Sequence, residues 1–229
     1  MIRSFCCLLF LLQSFSKAAA QDFFINKDTT INGVWTLPKG SLLRFGSNGY
    51  IRGSGTIKGG IIDAAPNQWI FDSSLTLQPE GTYSTFFSAR WLGAGYVKDN
   101  AGVLQKGIQT VLENYGPLKH FFIPAGLYKY SKPLQVFRIY KDKYTACTIH
   151  IFGESSFWDS GTGTTLEYTG TSGFALGLQL NKGSEINNLI LKGQFKAPGG
   201  NDSTYYNIPF DKYKDANGVC DDLYAGIVI

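Results

Sequence analysis

One amphipathic helix in a chain otherwise cut into short, glycine-punctuated segments is the feature that most limits what this sequence can become. Leu104, Ile108, Val111, Leu112 and Tyr115 fall on one stripe of a helical wheel. Asp99 or Asn100 can cap its start, and Gly116-Pro117 ends it, since glycine accepts a left-handed residue and proline cannot continue a helix. The spacing predicts a helix over 100–115. Phe121-Phe122-Ile123 follows, too short for a helix, and Pro124-Ala125-Gly126 turns it into Leu127-Tyr128. A single helix among strands must lay its apolar face against them, and a lid over their end is the expected arrangement.

The strands before the helix are short. Val34–Leu37, Leu42–Phe45, Tyr50-Ile51, Thr56–Lys58 and Ile61–Asp63 are separated by Pro38-Lys39-Gly40, Gly46–Gly49, Gly53-Ser54-Gly55 and Gly59-Gly60. That spacing is too tight for βαβ units and suits a β-sandwich or the flat sides of a coil. Gly53-x-Gly55-x-x-x-Gly59 has no helix behind it to hold an anion, so these glycines read as turns. Thr148–Gly153, Thr164–Tyr168, Phe174–Leu180 and Ile186–Leu191 continue the strands after the helix, with Asn187-Asn188 at a bend. The expected fold class is all-β.

Residues 1–20 read as an export signal: Arg3, an apolar run from Phe5 to Leu12, then Ala18-Ala19-Ala20 before Gln21. The apolar run is shorter than the ~20 residues a membrane-spanning helix needs, and no later run is longer, so no transmembrane segment is expected. The whole chain has 229 residues, 21 basic and 17 acidic. Without the signal, which holds Arg3, Lys17 and no acids, the balance falls from +4 to about +2. Near-neutrality gives no case for nucleic acid. Cys147 and Cys220 are the cysteines beyond the signal. Cys147 shares strand parity with Ile149 and Ile151, the mark of a buried thiol.

The pattern breaks over 194–223, a stretch long enough to be a functional loop. Asp202, Asp211 and Asp215 are dense enough there to suggest a cation site. Asp215-x-Asn217-Gly218 resembles the middle of a calcium loop, but Tyr213 and Tyr224 stand where its first and last acids belong. The plainer reading is a solvated loop in which Asp and Asn start turns. Aromatic residues make up 15% of the chain. Trp158, Tyr205, Tyr206 and Tyr213 are candidates for exposed faces that stack on sugar rings, whereas Trp35 and Trp91 are expected in the core. His120 and His150 read as structural, because zinc needs more ligands than two histidines supply. Glu154 reads as part of a turn.

The helix, the strand after it and the run Phe122-Ile123-Pro124-Ala125-Gly126-Leu127-Tyr128, together with Trp91–Gly95 and Asn188–Gly193, resemble the opening of the pectate-lyase-like superfamily, in particular a rhamnogalacturonase- or epimerase-like N-terminal module. The resemblance implies a right-handed parallel β-helix (a solenoid) with an N-terminal capping helix. It divides the chain into 1–20 signal, 21–90 short-strand segment and 91–229 solenoid. It implies a secreted polysaccharide lyase or glycoside hydrolase acting on an acidic polysaccharide, with Ca²⁺ as the candidate cofactor. Asp221-Asp222 resembles the paired aspartates of the polygalacturonase branch, and Arg138 and Lys192 are the candidate basic residues. The sequence departs from the family at Gly95–Asn100, where a longer loop ends in paired aspartates. The alternative is a non-catalytic glycan-binding adhesin or tailspike-like module. Ala225–Ile229 reads as an uncovered apolar rung, so further rungs, or self-association through that end, are expected.

Overall fold

The computed structural model describes residues 19–113, 119–140, 143–145, 147–154, 163–170, 174–178, 183–193 and 225–228. Apart from one α-helix and one 3-10 turn, their regular structure is strand. The first group comprises β1 (Asp22–Ile25), β2 (Asp28–Thr30), β3 (Val34–Thr36), β4 (Leu42–Phe45), β5 (Tyr50–Arg52), β6 (Thr56–Lys58), β7 (Ile61–Asp63), β8 (Thr76–Gln78) and β9 (Gly81–Thr82). These pair in parallel as β1-β4-β7-β9, β2-β5 and β3-β6-β8. The chain therefore visits three sheets in turn and returns beside its own earlier strand. About 20 residues separate Asp22 from Leu42, Leu42 from Ile61 and Ile61 from Gly81. Steps so short leave no room for crossover helices.

β10 (Phe87–Ser88) opens the second group, and the 3-10 turn Ala89–Leu92 and helix α1 (Ala101–Glu113) follow it. Then come β11 (His120–Ile123), β12 (Gly126–Tyr130), β13 (Leu134–Val136), β14 (Arg138–Tyr140), β15 (Lys143–Thr145), β16 (His150–Gly153), β17 (Thr164–Tyr168), β18 (Phe174–Leu178), β19 (Glu185–Asn187), β20 (Ile190–Gly193) and β21 (Ala225–Val228). They pair in parallel as β10-β11-β16-β19, β12-β17-β20 and β13-β18-β21, with β14-β15 as an antiparallel arm.

Alternation sends every second side chain inward, and the register stacks those residues in columns. Phe87, Phe121 and Ile151 form one buried column, Tyr128 and Leu166 another. One apolar core runs through both groups, from Leu43 and Ile57 to Leu134 and Leu176. Trp91 sits within it, fully buried. Trp35, expected in the core, is only half-buried. Its strand β3 is the outermost of its sheet, so neighbours cover it from one side, where Phe23 meets it edge-on at 5.3 Å.

Helix α1 buries Leu104, Ile108, Val111 and Leu112 as its stripe requires. Asp99 and Asn100 hold its start. The Asp99 carboxylate accepts from Ala101 N at 3.0 Å, from Ser131 N at 3.1 Å and from the Ser131 hydroxyl. Buried Asn100 accepts from Gly95 N at 2.6 Å and donates to Lys129 O at 3.0 Å. Its contacts run to β8 of the first group and to β10, β11, β13 and β14 of the second.

Two glycines of α1 test this packing. A Cβ on Gly107 would lie 2.4 Å from the buried Phe121 ring, while one on Gly102 meets nothing within 4 Å. Gly107→Ala is expected to destabilise by about 1–3 kcal/mol through overpacking. Gly102→Ala should instead stabilise by up to about 1 kcal/mol. Urea denaturation checks both signs.

The Ser131 hydroxyl first, and the Ala101 amide after it, hold the Asp99 carboxyl below its usual range. A lowered folded-state pKa means a contribution present above the unfolded value of about 4 and lost as pH falls through the folded one. The stability gap between the wild type and Asp99→Asn is therefore expected at neutral pH and should close on acidification. A pH series of melting curves reads it.

Candidate functional site

Of the candidate site residues singled out by sequence, Arg138 and Lys192 fall among the described residues. Asp202, Asp211, Asp215, Asp221, Asp222, Trp158, Tyr205, Tyr206 and Tyr213 lie outside the described residues. Arg138 is on the β14-β15 arm, opposite Thr145. Lys192 is exposed on β20 in register with Glu167, which in turn faces Lys129 across 3.8 Å. Lys129, Glu167 and Lys192 thus form a surface column of alternating charge, worth little energetically. Glu154 accepts from Ala125 N at 2.9 Å and so holds the turn, as expected. Cys147 is buried, as its parity implies.

Carboxylates flank a cation at Arg44, whose Nε lies 3.5 Å from Asp22 and 3.6 Å from Asp63. The guanidinium is shared between an exposed and a half-buried carboxylate at the surface, an arrangement worth little energetically. Among the described residues, no group of three or more His, Cys, Asp and Glu could hold a metal ion.

Chemistry-bearing side chains do converge on the outer face of β10-β11-β16-β19. There the register puts His120, His150 and Glu185 in one column, and Phe122, Phe152 and Asn187 in the next. Adjacent strands lie ~4.8 Å apart, so each column repeats at about the thickness of a flat ring. The His120 and His150 rings lie 5.0 Å apart, tilted by 32°. Phe122 and Phe152 lie 5.1 Å apart, and Phe86 extends their row at 4.8 Å from Phe122. His120 stands edge-on to Phe152 at 6.1 Å, tying the two columns together. All five rings are half-buried: their backs are packed and their outer parts reach solvent.

Glu185 approaches His150 Nδ1 to 3.6 Å. The carboxylate thus stands beside an imidazole that carries a nitrogen on each of two edges. The backbone holds this edge firmly. Asn188 adopts a left-handed conformation (φ 53°) just after β19, and its carbonyl oxygen would sit 2.1 Å from any Cβ on Gly153 of the neighbouring strand. Only glycine at 153 lets the two strands close up. The face offers hydrogen-bonding imidazoles and a carboxylate beside a hydrophobic ring row, which suits a flat ligand with polar edges.

Read one at a time, the two histidines look structural, and that is how the sequence presents them. The missed signal is a repeat: His120-Phe121-Phe122-Ile123 and His150-Ile151-Phe152-Gly153 carry the same His-x-Phe in the same register. The inward residue between them answers to the core. The outward His and Phe answer to no core contact.

No family model, curated protein or solved structure matches this chain. Among the described residues no helix is long and apolar enough to cross a membrane.

A surface ladder should be nearly independent of folding. Phe152→Ala is expected to lower stability by about 1–2 kcal/mol, on the scale of a half-buried ring and its aromatic contacts. Glu185→Gln should stay within about 0.5 kcal/mol, as an exposed ion pair does. Denaturation in urea with unchanged m-values checks both.

Proposed function

We propose that this chain is an exported polysaccharide-binding protein built as a right-handed parallel β-helix of the pectate-lyase-like kind, with the outer face of β11-β16-β19 as its glycan-binding strip. The carrying observation is the pair of half-exposed columns, His120-His150-Glu185 beside Phe122-Phe152. A pyranose ring laid on the phenylalanines would present its hydroxyls to the imidazoles and the carboxylate. The parallel return of every third strand supports the β-helix reading, and parallel connections are right-handed in nearly all folds. The side chains of α1 that occupy the first edges of the second group support its reading as a cap. The charged, apolar and small-residue runs of 1–20 support export.

A second reading, a lyase acting on an acidic polysaccharide, is favoured by the Glu185–His150 pair. His150 Nε2 would take the proton next to a uronate carboxylate. A C4=C5 double bond then forms as the C4–O bond to the leaving sugar breaks, and the departing oxygen takes a proton from water to become a hydroxyl.

Binding to a panel of pectin, alginate, glycosaminoglycan and neutral glucan separates these readings. Retention on at least one acidic polymer is expected, with Phe122→Ala/Phe152→Ala weakening it about tenfold or more while the fold persists. Ultraviolet absorbance of unsaturated ends, abolished in His150→Ala, would select the lyase. Absence of binding to every polymer would overturn both readings.

A further inference from the structure

A second group of aromatic side chains lies where the two strand groups meet, outside the ladder. Tyr50 comes from β5, Trp69 from the connection before β8, and Tyr96 from the loop after the 3-10 turn. Trp69 and Tyr96 stack at 5.5 Å with 17° between their planes, and Tyr50 meets Trp69 edge-on at 5.6 Å. Trp69 is 40% and Tyr96 52% exposed, and their stacking makes a contiguous aromatic patch rather than scattered single residues.

Two of the three rings are pinned by their polar handles. Trp69 Nε1 donates to Phe71 O at 2.8 Å, and the Tyr96 hydroxyl donates to Asn67 O at 3.1 Å. Beneath the indole lies Gly93, where a Cβ would fall 2.8 Å from the ring. The guanidinium groups of Arg52 and Arg90 sit over Tyr50 and Tyr96 at 5.8 and 5.2 Å. Arg52 also pairs with Asp28, and Asp72 is engaged by Ser74. Rings locked in this way lose little entropy when a ligand lands on them. Tyr50 and Tyr96 each already carry a cation over the ring, which makes the cluster a poorer site for a cationic ligand than for a neutral or acidic one.

The ladder and these rings are joined through one short segment. Phe86 of the ladder row stacks on Trp91 at 6.4 Å, and Gly93, two residues further on, carries Trp69. We infer that Tyr50, Trp69 and Tyr96 form a second contact point for the same polysaccharide, so that one long chain engages the protein at both places. This rests on the glycan-binding reading of the ladder. Two linked contacts make the second an intramolecular event, so affinity should rise steeply once a fragment spans both.

Graded-length fragments of polygalacturonate, measured by calorimetry on the full chain, test it. Tyr96→Ala and Trp69→Ala are expected to leave short fragments within about twofold of wild type and to weaken long ones by about tenfold or more. Phe152→Ala should weaken both. Because Trp69 packs on Gly93, the Tyr96 variant, with an unchanged melting curve, guards against a folding defect. Long fragments bound equally well by wild type and Tyr96→Ala would overturn the second contact and leave the ladder reading intact. Polygalacturonate fragments of no length binding to the wild type would overturn the second contact, and would overturn the ladder reading too where no polymer of the panel is retained.

Discussion

An unpaired strand edge is the constraint on which the second half of this structure depends. The first strands of a parallel stack have no neighbour on one side, and each buried N–H or C=O left without a partner costs about 1–3 kcal/mol. The helix answers this with side chains. Asn100 binds Lys129 O through both its main-chain N–H at 2.8 Å and its side-chain amide. Gln105 acts as a strand surrogate: its amide donates to Gln135 O and accepts from Gln135 N, both at 2.8 Å. That explains why an apolar stripe is flanked by glutamines, and why the helix starts at a residue as buried as Asn100. These contacts fix β12 and β13, on which β17 and β18 then pair.

Trp91 performs the corresponding task between the two groups. Its carbonyl accepts from Ile70 N at 3.2 Å and Phe71 N at 2.8 Å, continuing the sheet of β2 and β5 across the junction. Its indole donates to Ala65 O at 2.9 Å while the ring is wholly buried against Phe87 and Phe86. Backbone, polar handle and apolar body are all used at one residue. The core is continuous for this reason, and β10 pairs with β11 although a helix separates them in sequence.

Local signals made much of this legible. The helix and the strands at Leu42–Phe45, Thr56–Lys58 and Ile61–Asp63 follow directly from periodicity and turn glycines, because each is decided by its own few residues. What strand lies beside what is a long-range property. That choice between sandwich and coil stayed open in the sequence, and Trp35 looked like core because nothing local says that β3 is outermost. The ladder escaped notice for the same reason. A histidine in a strand is ordinary, and only the pairing of His120 with His150 turns two ordinary residues into one surface. The aspartates at 202, 211, 215, 221 and 222 drew attention by their density in the sequence, and they lie outside the described residues.

Inward and outward positions in a stacked sheet answer to different pressures, and the difference gives the ladder its meaning. Phe121 and Ile151 must be apolar because they fill a closed interior, and many sequences would satisfy that demand. His120, His150, Phe122 and Phe152 face outward, where Lys, Thr or Glu would serve solubility better, as they do at Lys129, Thr165 and Glu167 on the neighbouring sheet. Half-exposed phenylalanine rows carry a solvation cost that a purely structural strand has no reason to bear. Mounting them on strands rather than loops fixes their spacing before any ligand arrives, so little ordering remains when a ring settles on them. Fixed spacing along the stacked strands is what makes a polymer repeating in the same direction the natural occupant of the proposed strip.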